Sequence, residues 1–284
     1  MLENLETLIN LSKWGTMTRT SVEMRLTQSA VSKRIAQLEL YYGQNLIEKK
    51  GRKVALTLAG NHLVEKVRPH LLEIKGALKL EVELDRGEIT IGVSESILSS
   101  WGPKVLEKVE TTLPNLKIVV HAHRSPVVVD KVYSGEYPLG LCSGDFKSNH
   151  QLQTELLFWE PMVLIPGRLN SLNLGDKKIL KIMTIEEHSE TWKSLKSQMA
   201  SLPQRLVVER RLESFFSVAS MALAGFGHGL VPLGVAKMLK IPGHKRVSFG
   251  DKLRRPISLM AKKTTWGKPI VSRFYQELLK CHKI

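Results

Sequence analysis

The chain has 284 residues, enough for about two domains at roughly 150 residues each. Hydrophobic residues make up 43% and charged residues 24%, globular values that exclude a disordered or fibrous chain. Lysine and arginine outnumber aspartate and glutamate by 42 to 27, which points to an anionic partner, and the two cysteines are too few for a disulfide framework or a cysteine metal cage.

The opening Met1-Leu2-Glu3-Asn4-Leu5-Glu6 places acidic residues where an export signal carries basic ones, so a cytoplasmic protein is expected. Leu2, Leu5, Leu8 and Ile9 form an apolar stripe that predicts a first helix ending at Trp14-Gly15. Thr18 or Thr20, the latter followed three residues on by Glu23, predicts the cap of a short second helix with Val22 and Leu26 facing inward. Val31, Ile35, Leu38 and Tyr42 recur at helical spacing and predict a third helix after Thr27-Gln28, closed by Gly43. Leu46 to Leu56 reads as a hairpin centred on Gly51 and carrying Lys49, Lys50, Arg52 and Lys53. Thr57 then caps a long helix, kinked at Pro69, with a stripe of Leu63, Val67, Leu71, Ile74, Leu78 and Val82. No short helix obviously covers that stripe, so self-association through it is expected.

Past Gly87 the texture changes to strands alternating with helices. Ile89 to Val93, Leu116 to Val120, Leu139 to Cys142 and Met162 to Ile165 read as strands, and Val105, Val109 and Leu113 line a helix stopped by Pro114. This pattern predicts an α/β domain of parallel strands joined by covering helices, closed by a late helix with Val271, Phe274 and Leu278 on one side. Ser214 to Ala236 is uncharged and long enough to span a bilayer, but its glycines and Pro232 make it a buried helix, a turn and a short strand; no membrane role is expected.

The strongest constellation is the block from Thr18 to Lys53. A short helix, a tight turn and a second helix let the second enter the major groove of DNA while the first braces it. The outward face of the third helix presents Gln28, Ser29, Ser32, Lys33 and Gln37, with Arg34 at the rim, and the cationic hairpin is placed as a wing beside the adjacent backbone. Singly, each of these residues is more often a solvated surface group; together they make a winged helix-turn-helix.

The run Thr27-Gln28-Ser29-Ala30-Val31-Ser32-Lys33-Arg34-Ile35-Ala36-Gln37-Leu38-Glu39, followed by Gly43, Leu46-Ile47-Glu48-Lys49, Gly51-Arg52 and Leu56-Thr57-Leu58-Ala59-Gly60, resembles the DNA-binding head of LysR-type transcriptional regulators. The likeness continues through Gly135-Glu136, Glu160-Pro161-Met162-Val163-Leu164 and Ala224 to Pro232. It implies an α/β protein with an all-α-rich winged helix-turn-helix head, a long linker helix and a two-lobed effector domain like those of periplasmic binding proteins. The expected boundaries are 1–58 for the head, 59–87 for the dimerisation helix and 88–284 for the effector domain, with lobe I at about 88–162 and 247–284 and lobe II at about 163–246.

Carried over to this chain, the resemblance makes Gln28, Ser29, Ser32 and Lys33 base-facing, Thr18 and Arg34 phosphate or rim contacts, and Arg52, with Lys53, the wing contact. It places a small-molecule effector near Ser94, Ser96, Ser125 and Ser143 after strand ends, with Arg210 in the second lobe. For each hydroxyl, capping a helix or turn is an equally good reading. Residues 88–284 carry 28 lysines and arginines against 17 acidic residues, an excess read first as solvated surface lysine, with an anionic effector as the alternative it raises. A homodimer or homotetramer on double-stranded DNA follows, with no cofactor.

Enzymatic readings are weak. His121 and His123 share a strand face without a third metal ligand nearby, and Gly225-Phe226-Gly227-His228-Gly229 lacks the lysine of a phosphate loop. No catalytic or metal site is expected. Cys142 is read as a buried, inert thiol, with redox sensing as the alternative. The competing function is a solute-binding or transferase-like α/β protein with an incidental basic head.

Overall fold

A computed structural model of the chain describes residues 1–50, 53–85, 87–144, 151–170, 172, 179–187 and 189–281. It divides into two compact units, Met1–Gly76 and Ala77–Ile284, so the break falls inside a long helix rather than at either of its ends.

In the first unit, α1 (Leu2–Trp14) ends at Gly15, whose φ of 68° is the left-handed conformation that glycine adopts without a Cβ clash. The second helix, α2 (Met17–Met24), is capped by Thr16, whose hydroxyl accepts from Arg19 N at 3.1 Å, and not by Thr18 or Thr20. Thr20 lies inside the helix, buried, with its hydroxyl donated to Thr16 O at 2.8 Å. Val22, two residues on, therefore points away from the core and is 66% exposed, contrary to its expected inward position. The third helix, α3 (Gln28–Tyr42), starts where expected, with Thr27 Oγ1 accepting from Ala30 N at 3.2 Å, and stops at Gly43. Arg25, between α2 and α3, holds φ at 53°, a conformation that costs a residue with a Cβ about 1–2 kcal/mol.

Leu8 and Leu11 of α1 meet Ile35 and Leu38 of α3 in one buried cluster with Leu46 and Val64. Glu39 closes the turn after α3: its Oε1 accepts from Leu46 N at 2.8 Å and Ile47 N at 3.2 Å. β1 (Ile47–Lys50) and β2 (Lys53–Leu56) then pair antiparallel, from Ile47 opposite Leu56 to Lys50 opposite Lys53. Thr57 caps α4 (Leu58–Asp85), its Oγ1 accepting from Gly60 N at 3.0 Å and donating to Asn45 O at 2.7 Å. The first half of α4 is not open, as the stripe suggested: Val64 and Leu71 are buried. Ile74, Leu78 and Val82 are 41%, 63% and 47% exposed.

The second unit holds β3 (Glu88–Ser94), α5 (Glu95–Leu98), α6 (Gly102–Thr112), β4 (Lys117–His123), α7 (Ser125–Tyr133), β5 (Leu139–Ser143) and β6 (Leu152–Ile165). It continues with β7 (Ile179–Ile185), α8 (Glu190–Ala200), β8 (Arg205–Leu212), α9 (Phe215–Ala224), β9 (His228–Pro232) and α10 (Leu233–Met238). β10 (Val247–Ser248), β11 (Arg254–Lys262), α11 (Lys263–Trp266) and α12 (Pro269–Cys281) complete it. The strands run in the order β4-β3-β5-β11-β6-β9-β7-β8, with β10 on β6. The sheet is mixed, not parallel throughout. β3 pairs parallel with β4 and β5, and β7 with β8 and β9, whereas β11 runs against β5 and β6, and β6 against β9.

The predicted strand at Met162–Ile165 is the last part of β6, whose earlier part pairs with β11 and whose end pairs with β9. β6 thereby passes from one lobe into the other. One core gathers Ile91, Val93, Val105, Leu141, Ile257 and Phe274; another gathers Met162, Leu164, Ile182, Leu195, Val218 and Leu230. The uncharged stretch from Ser214 forms α9, a glycine turn and β9, and no described helix is long and apolar enough to cross a membrane.

Gly60 is the tightest point of the head: a Cβ there would sit 2.0 Å from Leu46 O, which is backbone and cannot swing aside. Gly60→Ala is therefore expected to lower the unfolding free energy by about 2–4 kcal/mol, measured by chemical denaturation of the full chain. An unchanged midpoint would contradict the close packing of α4 on the start of the hairpin.

Candidate functional site

Two sites are described, one in each unit. In the head, the buried side of α3 (Val31, Ile35, Leu38) fixes the opposite side outward, and Gln28, Ser29, Ser32, Lys33 and Gln37 are all exposed. Ser29 Oγ lies 3.0 Å from Thr27 Oγ1, so it is steadied by the cap that starts the helix. Thr18 is exposed on the first turn of α2. Arg34 is not a free cation: its guanidinium pairs with Glu3 of α1, and its side chain is 24% exposed. Lys53 is exposed at the start of β2, and Arg52 lies outside the described residues.

Two exposed cations near this face were not singled out from the sequence. Arg19, next to Thr18, pairs with Glu23 at 2.8 Å and lies over the Trp14 ring at 5.3 Å. Arg25 occupies the turn. Recognising Thr16 as the cap would have put Arg19 beside Thr18 in the first turn.

In the second unit, the carboxyl ends of the parallel strands β3 and β4 lie side by side, Ser94 opposite His123, and open a crevice of the kind that binds ligands in α/β sheets. Ser94, Ser96 and Ser125 line it, and across from them stand Glu186, Thr191 and Ser214. Ser143 is buried behind this lining, where its Oγ accepts from Thr191 Oγ1 at 2.8 Å. Arg210 is elsewhere: exposed on β8, it donates from Nη1 to Phe226 O at 2.9 Å and does not line the cleft.

The cleft is closed by polar ties between lobes. Arg124, at the end of β4, pairs with Glu186 at 2.6 Å and Glu213 at 2.8 Å. Ser214 Oγ donates to Glu95 Oε1 at 2.9 Å and accepts from Phe216 N at 3.2 Å, so the cap of α9 also holds α5. Beneath them Arg255 and Glu160 are 1% and 3% exposed. Arg255 Nε and Nη2 donate to Glu160 Oε2 at 2.9 and 2.7 Å, Arg255 Nη1 donates to Ser96 Oγ at 2.9 Å, and Glu160 Oε1 accepts from Gly234 N at 3.0 Å. Removing one partner of such a buried pair costs about 3–5 kcal/mol, because the other charge stays desolvated. The remaining space is a cavity of about 40 Å³. A larger, mainly apolar cavity of about 370 Å³ lies beside Glu160, lined by Trp101, Val105, Phe158, Leu233 and Met238, with Ser100, Lys104 and Lys237 as further polar members.

The overall basic charge does not carry into the cleft. Its lining holds Glu95, Glu186 and Glu213 against Arg124 and Arg255, and Arg255 already has Glu160. An anionic effector therefore gains no support from this geometry.

The remaining candidates have structural roles. Burial drives the Cys142 thiol far above the usual thiol range, with Glu190 adding and Arg255 opposing, so the reactive thiolate is suppressed. His123 Nε2 lies 2.9 Å from the Tyr137 hydroxyl, and the His121 and Tyr137 rings stack at 5.0 Å. His228 Nδ1 accepts from Gly167 N at 3.2 Å. No group of three or more histidine, cysteine, aspartate or glutamate side chains suited to a metal occurs among the described residues.

Residues 2–61 match the family model described as bacterial regulatory helix-turn-helix protein, lysR family, and residues 83–281 match the LysR substrate binding domain. An HTH-type transcriptional regulator of Vibrio cholerae serotype O1 is 31% identical over 264 residues, covering 91% of this chain and 88% of the relative. The HTH-type transcriptional regulator YfiE of Escherichia coli K12 is 29% identical over 272 residues, 88% of each chain. Full-length CbnR complexed with its target DNA shares the fold at a TM-score of 0.69 and 19% identity over 99% of both chains. Head and cleft thus fall within the two matched domains, and the chain belongs to the LysR family of DNA-binding transcriptional regulators, with a helix-turn-helix head and an effector-binding domain.

Proposed function

We propose that the chain binds operator DNA in the cytoplasm through the exposed face of α3 and that a small molecule held in the interlobe cleft alters that binding. The observation that carries the reading is the division of α3 into a buried apolar side and an exposed side of hydrogen-bonding residues. Gln28, Ser29, Ser32 and Lys33 read base edges in the major groove. Thr18 touches phosphate at the start of α2, Arg34 is a rim residue steadied by Glu3, and Arg52 and Lys53 belong to the wing. Lobe I spans about 88–162 and 247–284 and lobe II about 163–246; the two separate cores support the division into lobes, while Phe249 and Leu253, which belong to the core of lobe II, favour a return to lobe I after 253. The chain acts by binding rather than catalysis.

The open end of α4 supports association with a second copy. Ile74, Leu78 and Val82 recur at four-residue spacing and stay exposed, whereas Val64 and Leu71 on the same helix are buried. An unburied stripe of this kind on a long helix is the sequence of a paired helix. A dimer formed there is the unit for two half-sites, and a tetramer pairs two such dimers.

Fluorescence anisotropy on DNA from upstream of the gene and on a scrambled duplex, across a salt series, tests the DNA contacts. Ser32→Ala is expected to weaken the specific complex by about 1–3 kcal/mol and leave scrambled DNA unaffected, whereas Lys53→Ala weakens both and lowers the salt slope by about 1. Equal affinity of the wild-type chain for both duplexes at every salt concentration would remove base reading by α3. For the pairing of α4, the Ile74→Glu, Leu78→Glu double variant is expected to sediment as a monomer at concentrations where the wild type is at least dimeric. An unchanged sedimentation coefficient places the interface elsewhere.

A further inference from the structure

The cleft's chemistry narrows what it holds. Of its charged groups, the Arg255 guanidinium is satisfied internally by Glu160, and Arg124 is a single cation shared by two carboxylates, Glu186 and Glu213. Glu95 faces the same space with the Ser214 hydroxyl on Oε1 and no ion pair among the described residues. Carboxylates thus exceed available cations, a lining that attracts a positively charged group and repels a simple anion.

The opposite preference is built into one wall. α7, nine residues long, opens into the cleft at Ser125 and Pro126, and no side chain caps its first turn. The N–H groups of its first turn, to which Pro126 contributes none, present partial positive charge and want an acceptor. α8 and α9 also start at the cleft, but Ser189 and Ser214 cap them. Ser94, 3% exposed, belongs to the same lining, and its buried Oγ has no hydrogen-bond partner. A buried hydroxyl left unpaired is a vacancy for a ligand atom, since native chains satisfy nearly all such groups.

Resting on the cleft being the effector site, we infer that the effector is a small zwitterion carrying an ammonium and a carboxylate close together, as an amino acid does. The carboxylate sits at the first turn of α7 against Ser94 Oγ. The ammonium lies among Glu95, Glu186 and Glu213 and supplies the second cation that Arg124 alone does not. A cavity of about 40 Å³ accommodates little more than a water molecule, so binding requires the lobes to part or Arg124 to withdraw. The ligand competes with the Arg124 tie, which links occupancy of the cleft to the relation between lobes.

Thermal denaturation of the full chain with the L-amino acids, the matching amines without carboxylate, the matching 2-hydroxy acids and a set of dicarboxylates tests this, with isothermal titration for any ligand that shifts. At least one amino acid at millimolar concentration is expected to raise the melting temperature by about 3 °C or more, with no shift from its amine or hydroxy-acid counterpart. Glu95→Gln is expected to weaken that amino acid at least tenfold, and Ser125→Trp, which fills the cleft, to abolish binding; each variant's own cooperative transition reports that it folds. No shift from any amino acid, or an equal shift from an amine, a hydroxy acid or a dicarboxylate, overturns the zwitterion. If the ligand that does bind is lost in Ser125→Trp, the cleft remains the effector site and only its ligand class falls. Undiminished binding in both variants overturns the cleft as well.

Discussion

The structure of the head rests on the burial of one side of α3. Val31, Ile35 and Leu38 are at most 2% exposed, Ile35 and Leu38 in one cluster with Leu8 and Leu11 of α1, and burying side chains of this size contributes about 1.5–3 kcal/mol each. That anchorage does more than stabilise. It fixes the rotation of the helix about its axis, so that the residues between the apolar positions, Ser32, Lys33 and Gln37, have nowhere to go but outward. The turn bonds serve the same end: Thr27 starts the helix, Gly43 stops it, and Glu39 holds the two amides that lead into the hairpin.

Where its lobes meet at the cleft, the effector domain is held mainly by polar ties. Each lobe has its own apolar core, and the groups that meet at the cleft are mostly charged or hydroxylic, with Pro126, Ile185 and Phe215 as the apolar members. The partly exposed pairs made by Arg124 contribute little to stability. The pair of Arg255 with Glu160 is different. It is buried, it engages Ser96 on one side and the amide of Gly234 on the other, and a Cβ on Gly234 would lie 2.7 Å from Glu160 Oε1. A fixed pivot under labile ties is an arrangement in which a modest differential affinity moves the lobes.

Local signals made much of this readable. The spacing of Val31, Ile35 and Leu38 between Thr27 and Gly43 gave α3 directly, and the break in texture at Gly87 separated helical head from α/β domain. α2 was harder, because Thr16, Thr18 and Thr20 all suit a cap and only packing decides among them. β6 was seen only at its apolar end, since Glu155, Glu160 and Pro161 interrupt the pattern over the rest. The cleft was legible where hydroxyls follow strand ends, at Ser94, Ser96 and Ser125. Its ion pairs were not: Glu160 and Arg255 stand 95 residues apart, and nothing local marks them as partners. Net charge is silent here for a related reason, because it sums over a surface and says nothing of the few residues that converge on one crevice.

The central claim is that α3 lies in the major groove of particular DNA. Hydroxyl-radical footprinting of the full-length protein on DNA from upstream of its gene tests this most directly. The account predicts protected segments on one face of the duplex, centred about 10 base pairs apart or a multiple of that spacing, as two symmetric heads require. Uniform protection indistinguishable from that on a scrambled duplex, or none at concentrations that saturate binding, would contradict it.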